Sequence, residues 1–177
     1  KTVFSFEVFP PRRNSPIETI YDTLDELRDL KPDFISVTYG AGGGKNNQST
    51  IPIAEHIKKV CEVPSVVHFP CINLTKQDVL EKIEELKTAG IKNILALRGD
   101  IPEGEENRGD FRYASDLIAF LKEHGNFHIS AACYPEGHIE SADRVEDIRY
   151  LKNKVDAGAE HLISQLFFEN KQFYIFQ

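Results

Sequence analysis

Six short runs rich in Val, Ile and Phe recur along the chain at a nearly constant interval, with helix-like stretches between them. They span residues 3–9, 34–40, 65–70, 93–99, 128–135 and 161–168. A polar residue stands near the end of each: Glu7, Tyr39, His68, Arg98, Tyr134 and Gln165, at gaps of 32, 29, 30, 36 and 31 residues. Alternation of strand and helix predicts a parallel α/β sheet. A (β/α)8 TIM barrel fits eight units into roughly 250 residues, about 31 per unit. The match predicts that the six polar side chains share one rim, where barrels of this kind build their active sites.

The intervening stretches carry helix signals. Ser15-Pro16-Ile17-Glu18 reads as a capping box with Pro at the first helical position, followed by Ile17, Ile20, Leu24 and Leu27 at helical spacing. Thr75-Lys76-Gln77-Asp78 opens a second helix that Gly90 stops, with Val79, Ile83 and Leu86 on one face. Leu117, Ile118 and Leu121 lead to Gly125, and Val145, Ile148, Leu151 and Val155 lead to Gly158. A weaker pattern, Ile53, Ile57 and Val60, follows the second strand. The polar stretch 102–109 reads as a long strand-to-helix loop.

The chain thus supplies six strands and five to six helices, expected as a single catalytic barrel domain over residues 1–177 that is truncated short of closure. Six strands also suit an open doubly wound sheet. Two features favour the barrel. Ser5 and Glu7, and Ser36 and Thr38, alternate along their strands as a polar interior requires, and no phosphate-binding glycine fingerprint follows the first strand. An unclosed barrel exposes two strand edges and much of its core, so a longer protein is expected.

Of the 177 residues, 41% are hydrophobic and 28% charged, and the net charge is −7. These values exclude disorder and argue against a general nucleic-acid binder. No apolar run approaches the roughly 18 residues that span a bilayer. Cys61, Cys71 and Cys133 form neither a disulfide framework nor a zinc pattern, which predicts a cytoplasmic protein.

Several motifs carry chemistry. Glu7 is a lone carboxylate in an apolar strand, so it faces a site or a structural arginine. Partial desolvation raises such a carboxyl toward the range of a general acid. Leu97-Arg98-Gly99-Asp100 ends the fourth strand. There Arg98 either grips a phosphate or pairs with Asp100 in a turn. The tripeptide also spells an adhesion motif, a poor reading directly after a buried strand. Gly40–Lys45 fails as a Walker loop at Tyr39 and Asn46. His68, Asp100 and His138 form a weaker metal-site alternative without local ligand spacing. No strand-end lysine supports a Schiff base and no nucleophile elbow is present. Gln165 is either a core amide or a ligand-recognising one.

Taken in order, FSFEVFPP, SVTYGAGG, ALRGD, YASDL, AACYPEGH, LKNKVDAGAE and ISQLFF resemble the methylenetetrahydrofolate reductase family along the whole chain. The resemblance implies a flavoprotein barrel with FAD at the rim. Its FAD contacts would come from the strand ends and the loops after them: Thr38, Tyr39, His68, Arg98, Gly99 and Asp100, then Tyr113, Ala114 and Tyr134. The following segment would add His138, Ser141, Asp147 and Lys154. Tyr150 and Asn153 depart from the family pattern, and the last strands of the family barrel are absent.

The resemblance also implies ping-pong hydride transfer from NADH or NADPH through FAD to 5,10-methylenetetrahydrofolate, giving 5-methyltetrahydrofolate for methionine biosynthesis. Glu7 would be the general acid. Asp100 would tune the flavin and sit near the folate, and Gln165 would bind folate or nicotinamide in turn. A homo-oligomer without metal, nucleic-acid or membrane partners is expected. The alternative is a truncated, non-catalytic barrel that binds flavin, folate or a partner chain.

Overall fold

The computed structural model describes residues 2–11, 16–39, 49–101, 104 and 106–177. Six strands form one sheet: β1 (Ser5–Val8), β2 (Phe34–Val37), β3 (Ser65–Pro70), β4 (Asn93–Leu97), β5 (His128–Cys133) and β6 (His161–Ser164). The helices between and after them are α1 (Glu18–Asp29), α2 (Thr50–Lys59), α3 (Lys76–Ala89), α4 (Ala114–His124), α5 (Arg144–Asp156) and α6 (Asn170–Phe176).

The strands pair in sequence order, β1 through β6, and every pairing is parallel. A doubly wound sheet reverses its strand order midway. Here the order never reverses, so right-handed crossovers lay successive helices on one face. The result is a half-barrel.

The register shows what drives this arrangement. Val8, Val37, Val67, Ile94 and Ile129 fall in one row across five strands. All five are buried, and they join Leu24, Ile53, Ile57, Ile83, Leu86, Leu117 and Leu121 of the helices in one core cluster. Fully burying such a side chain is worth about 1.5–3 kcal/mol. The opposite parity carries Glu7, Ser36 and Val66 in one row, and His68, Leu95, Ser130 and His161 in another. This is the predicted polar inner face. Among the described residues β1 and β6 each pair on one side only. Ile148, Val155, Leu162 and Ile163, with Leu166, Phe168, Tyr174 and Ile175, are exposed around β6 and its flanking helices.

The helix ends follow the sequence signals unevenly. At α3 the Asp78 amide donates to Thr75 Oγ1 (3.2 Å), and the Thr75 amide donates back to Asp78 Oδ2 (2.8 Å). Gly90 ends this helix at φ +71°, a left-handed conformation that suits glycine. The first helix differs from expectation. Ser15 lies outside the described residues, and α1 begins at Glu18 with Ile17 ahead of it, so Pro16 precedes the helix. The apolar pattern of α5 also misleads: Val145, Ile148 and Val155 are exposed, and the helix buries Asp147.

Thr75→Ala removes half of the reciprocal cap on α3. We expect a loss of about 1 kcal/mol, seen as a lower urea midpoint with an unchanged slope. Thr75→Ser is expected to retain the midpoint.

Candidate functional site at the strand ends

The loop after β3 is tied to the end of β4. The Ile72 amide donates to Arg98 O (2.8 Å) and the Cys71 amide to Leu97 O (3.0 Å). Gly99 takes φ +89° here, and a Cβ on it would lie 2.7 Å from Ile72 Cγ2. Only glycine passes this point without strain. This packing fixes Arg98 at the mouth of a cleft of about 420 Å³ between the ends of β4 and β5 and the starts of α4 and α5.

The two helices present ordered first turns to the cleft. Asp116 Oδ2 accepts from the amides of Arg112 (2.9 Å) and Tyr113 (2.8 Å), which sets Tyr113 and Ala114 against it. Asp143 Oδ1 accepts from the Glu146 amide (2.8 Å), starting α5 so that Asp147, Tyr150 and Lys154 fall on the cleft side. The positive ends of both helices face the cleft and favour anions, a role their own Asp116 and Asp143 carboxylates already fill in part.

Inside the cleft, Arg98 makes a two-pronged ion pair with Glu140, at 2.5 and 2.7 Å. The turn pairing expected between Arg98 and Asp100 is not the one found: the guanidinium is held by Glu140, while Asp100 stays exposed beyond Gly99. The guanidinium hydrogen bond and charge hold the Glu140 carboxyl below the usual range. Lys154 Nζ donates to Ala132 O (2.8 Å) and lies 5.6 Å from the Tyr134 ring centre. Burial lowers the Lys154 pKa, and the Asp147 carboxylate opposes that shift. Burial raises the Tyr134 phenol, as do the charges of Asp100 and Asp147. His138 meets the Tyr134 ring edge-on at 4.6 Å, and Tyr113 and Tyr150 lie 5.6 Å apart.

Eight of the expected cofactor contacts therefore gather in one cleft: Arg98, Tyr113, Ala114, Tyr134, His138, Ser141, Asp147 and Lys154. A second group sits on the inner face of the sheet. Glu7 on β1 reaches past β2 to place Oε2 3.4 Å from His68 Nε2 on β3. That approach is an ion-pair distance without hydrogen-bond geometry, and His68 Nε2 is buried without a hydrogen-bond partner among the described residues. Burial lowers the His68 pKa, and the Glu7 charge opposes it.

The other residues singled out in the sequence lie as follows. The Glu7 side chain is 52% exposed, so the burial expected of it is absent, and its neighbour is a histidine, not an arginine. Tyr39 lines a separate groove with Ile51, Leu74, Gln77 and Glu81 between α2 and α3. Gln165 is exposed, with its amide continuing the ladder to Cys133 O (2.8 Å). His68, Asp100 and His138 do not gather into a metal-ligand group among the described residues. Thr38 Oγ1 is buried without a hydrogen-bond partner among the described residues. The glycine-rich stretch 40–48 lies outside the described residues. Sequence reasoning missed Glu140 as the Arg98 partner and Tyr150 as a cleft residue. Only helical phase, four residues before Lys154, pointed to Tyr150.

A half-wound (β/α) barrel with a ligand-sized cleft at its strand ends defines the class of this protein. The methylenetetrahydrofolate reductase family model matches residues 1–177, and the chain belongs to that family. It is 41% identical over 173 residues to the 5,10-methylenetetrahydrofolate reductase of Pectobacterium carotovorum subsp. carotovorum, covering 98% of this chain and 57% of that one. The Escherichia coli (strain K12) enzyme of the same name is 40% identical with the same coverage. The Arabidopsis thaliana methylenetetrahydrofolate reductase (NADH) 1 is 36% identical, covering 99% of this chain and 32% of its own. The chain thus spans little more than half the length of these bacterial relatives. Among solved structures, 2,3-dimethylmalate lyase has the same fold, with TM-score 0.68 at 10% identity over 99% of this chain and 62% of that one. So does a Clostridium thermocellum protein described as binding two copies of 5-methyl-5,6,7,8-tetrahydrofolic acid, with TM-score 0.63 at 13% identity over 98% and 57%.

The Arg98–Glu140 pair gives a pH prediction. The folded Glu140 carboxyl titrates below its unfolded value, so the pair contributes at pH above the unfolded value and is lost as pH falls through the folded one. Half exposed, it adds little to global stability. Carboxyl carbon NMR of Glu140 is expected to show a depressed midpoint, which Arg98→Met returns to the ordinary glutamate range.

Proposed function

We propose that the protein reduces 5,10-methylenetetrahydrofolate to 5-methyltetrahydrofolate with NADH or NADPH, using FAD held at the strand ends. The observation that carries this reading is the gathering of eight family-matched residues into one cleft, in a chain that matches the family throughout.

The residues present fit such a cofactor. A cleft of about 420 Å³ is in the range of small-molecule sites, about 300–1,000 Å³. Arg98 and Lys154 supply positive charge suited to a pyrophosphate, and Tyr113, Tyr134 and Tyr150 supply flat apolar surface. The partnerless His68 Nε2 and Thr38 Oγ1 are buried polar atoms for which ligand atoms would be natural partners. FAD, when bound, supplies a two-electron carrier that the nicotinamide and folate substrates use in turn.

The chain's own contribution is position, charge and a proton. Arg98 exchanges its exposed Glu140 partner for a ligand anion at low cost, because such surface pairs are worth about 1 kcal/mol or less. Lys154, half-buried, is held in place by its hydrogen bond to Ala132 O. Glu7 stands on the inner face, where its carboxyl group gives a proton to the folate ring nitrogen as the five-membered ring opens. Hydride then enters at the resulting iminium carbon. The balance is one hydride from NADH or NADPH and one proton from Glu7, which solvent restores. Asp100 places negative charge beside the site, and Gln165 offers an amide for hydrogen bonding.

Glu7→Gln separates the two half-reactions. Reduction of bound flavin by NADH or NADPH, followed anaerobically by absorbance, is expected to continue nearly unchanged. Reoxidation by the folate substrate is expected to slow by at least about 100-fold. Equal slowing of both steps would remove Glu7 from the proton-transfer role.

A further inference from the structure

On the outer surface, where α1 packs against the end of α2, three side chains of different chemistry converge. A carboxylate oxygen of Asp25, a ring nitrogen of His56 and the sulfur of Cys61 lie within 4.8 Å of one another. Cys61 Sγ is 3.8 Å from Asp25 Oδ1, and Cys61 is only 3% exposed. The His56 ring stacks on Tyr21 with centroids 4.1 Å apart, and His56 Nε2 is buried without a hydrogen-bond partner among the described residues. No other group of three His, Cys, Asp or Glu side chains among the described residues is gathered in this way.

We propose that Asp25, His56 and Cys61 form a three-ligand site for a zinc-type divalent cation that clamps α1 to α2. The donor set decides the class of ion. One sulfur, one imidazole nitrogen and one carboxylate oxygen suit a borderline-soft metal and disfavour magnesium or calcium. Metal–ligand bonds of roughly 2.0–2.3 Å place ligand atoms about 3.3–3.8 Å apart around a tetrahedral ion. Cys61 and Asp25 already stand at 3.8 Å, and the widest of the three spacings, within 4.8 Å, needs a contraction of roughly 1 Å. Water completes the fourth position.

The surroundings favour a cation. The amides of Val60 and Cys61 both donate to His56 O, at 2.8 and 3.2 Å, which marks this point as the carboxy-terminal end of α2. That end carries the negative pole of the helix. Arg28 Nη1 already sits 3.5 Å from Asp25 Oδ1 on an exposed side chain, and it swings away without leaving a buried charge. Metal binding exchanges the Cys61 thiol proton for a metal–sulfur bond, and the proton leaves to solvent. The site lies where α2 returns to the start of β3, the end of the barrel opposite the cleft. Residues at that end serve stability, so the ion's role is structural.

Cobalt(II) is the probe. Full-length protein, reduced and stripped of metal by chelation, is titrated with cobalt(II) and then with zinc(II). The expected result is a thiolate-to-cobalt charge-transfer band that saturates at one equivalent and is bleached by zinc. Cys61→Ser is expected to abolish the band, and His56→Gln and Asp25→Asn each to weaken binding by at least about tenfold. Zinc is expected to raise the melting temperature of the parent protein and not that of the variants. The proposal is overturned by absence of the band at saturating cobalt, by its persistence in Cys61→Ser, or by undiminished affinity in both other variants, which would mark adventitious binding to a single thiol. If Cys61→Ser fails to fold, the affinities of the other two variants decide.

Discussion

Everything in this half-barrel follows from strands that pair in parallel and in chain order. Such strands cannot be joined by tight turns; each connection must cross over, and the crossover has one hand. All helices therefore pack on one face, and one parity of every strand is committed to meeting them. The row Val8, Val37, Val67, Ile94 and Ile129 is that commitment. The other parity is released from packing against helices, and Glu7, Ser36, His68 and Ser130 occupy it. A charged or polar residue tolerated at those positions in an open sheet covered on both faces would be costly.

The same geometry separates the work done at the two ends of the strands. At the carboxy-terminal ends, loops and helix starts converge, backbone amides point outward, and Arg98, Tyr134 and Lys154 face one cleft. At the amino-terminal ends, helices terminate and carbonyls accumulate. The convergence of Asp25, His56 and Cys61 lies there, near the negative end of α2. Different units of the half-barrel thus gather cations at one end of the strands and potential metal donors at the other, with the sheet between them.

The strands and their polar tips were legible because period and parity are local properties. Six polar residues at intervals near 31 suffice to locate the rim, and alternation of Ser and Glu with Val and Phe suffices to locate the inner face. What stayed hidden depends on contacts between distant segments. Glu140 lies in a run that carries no signal of its own, yet it holds Arg98 across 42 positions of sequence. Tyr39 shares the rim spacing, but its ring packs into the groove beside α3, because it follows β2 where pleat parity no longer governs direction. The apolar residues of α5 repeat at helical spacing and are exposed nonetheless, since spacing states which face is apolar and not what covers it. The convergence of Asp25, His56 and Cys61 joins two helices through tertiary packing, so no spacing rule reveals it.

The electrostatics of the cleft bear on how an acidic chain would hold the anion proposed for it. The net charge is −7, so long-range attraction cannot be the source of binding, and screening limits its reach to about 8–10 Å in any case. The local field must do the work. Lys154 is desolvated enough for its pKa to fall, yet its ammonium is anchored to Ala132 O with Asp147 nearby. Arg98 is kept extended by Glu140 on the cleft rim. Arg98 is thus held by a carboxylate and Lys154 by a backbone carbonyl, which keeps both positioned before ligand arrives. Pairing of this kind lowers the entropy lost on binding, because neither long side chain has to be ordered by the ligand. It also confers selectivity. A ligand must offer an anion good enough to replace Glu140 at Arg98, and a flat ring system to cover Tyr134 and Tyr113. A lone phosphate satisfies the first demand and leaves the aromatic surface wet, while an uncharged ring does the reverse. A dinucleotide-like molecule meets both, which supports the ring-bearing pyrophosphate proposed for the cleft over either part alone.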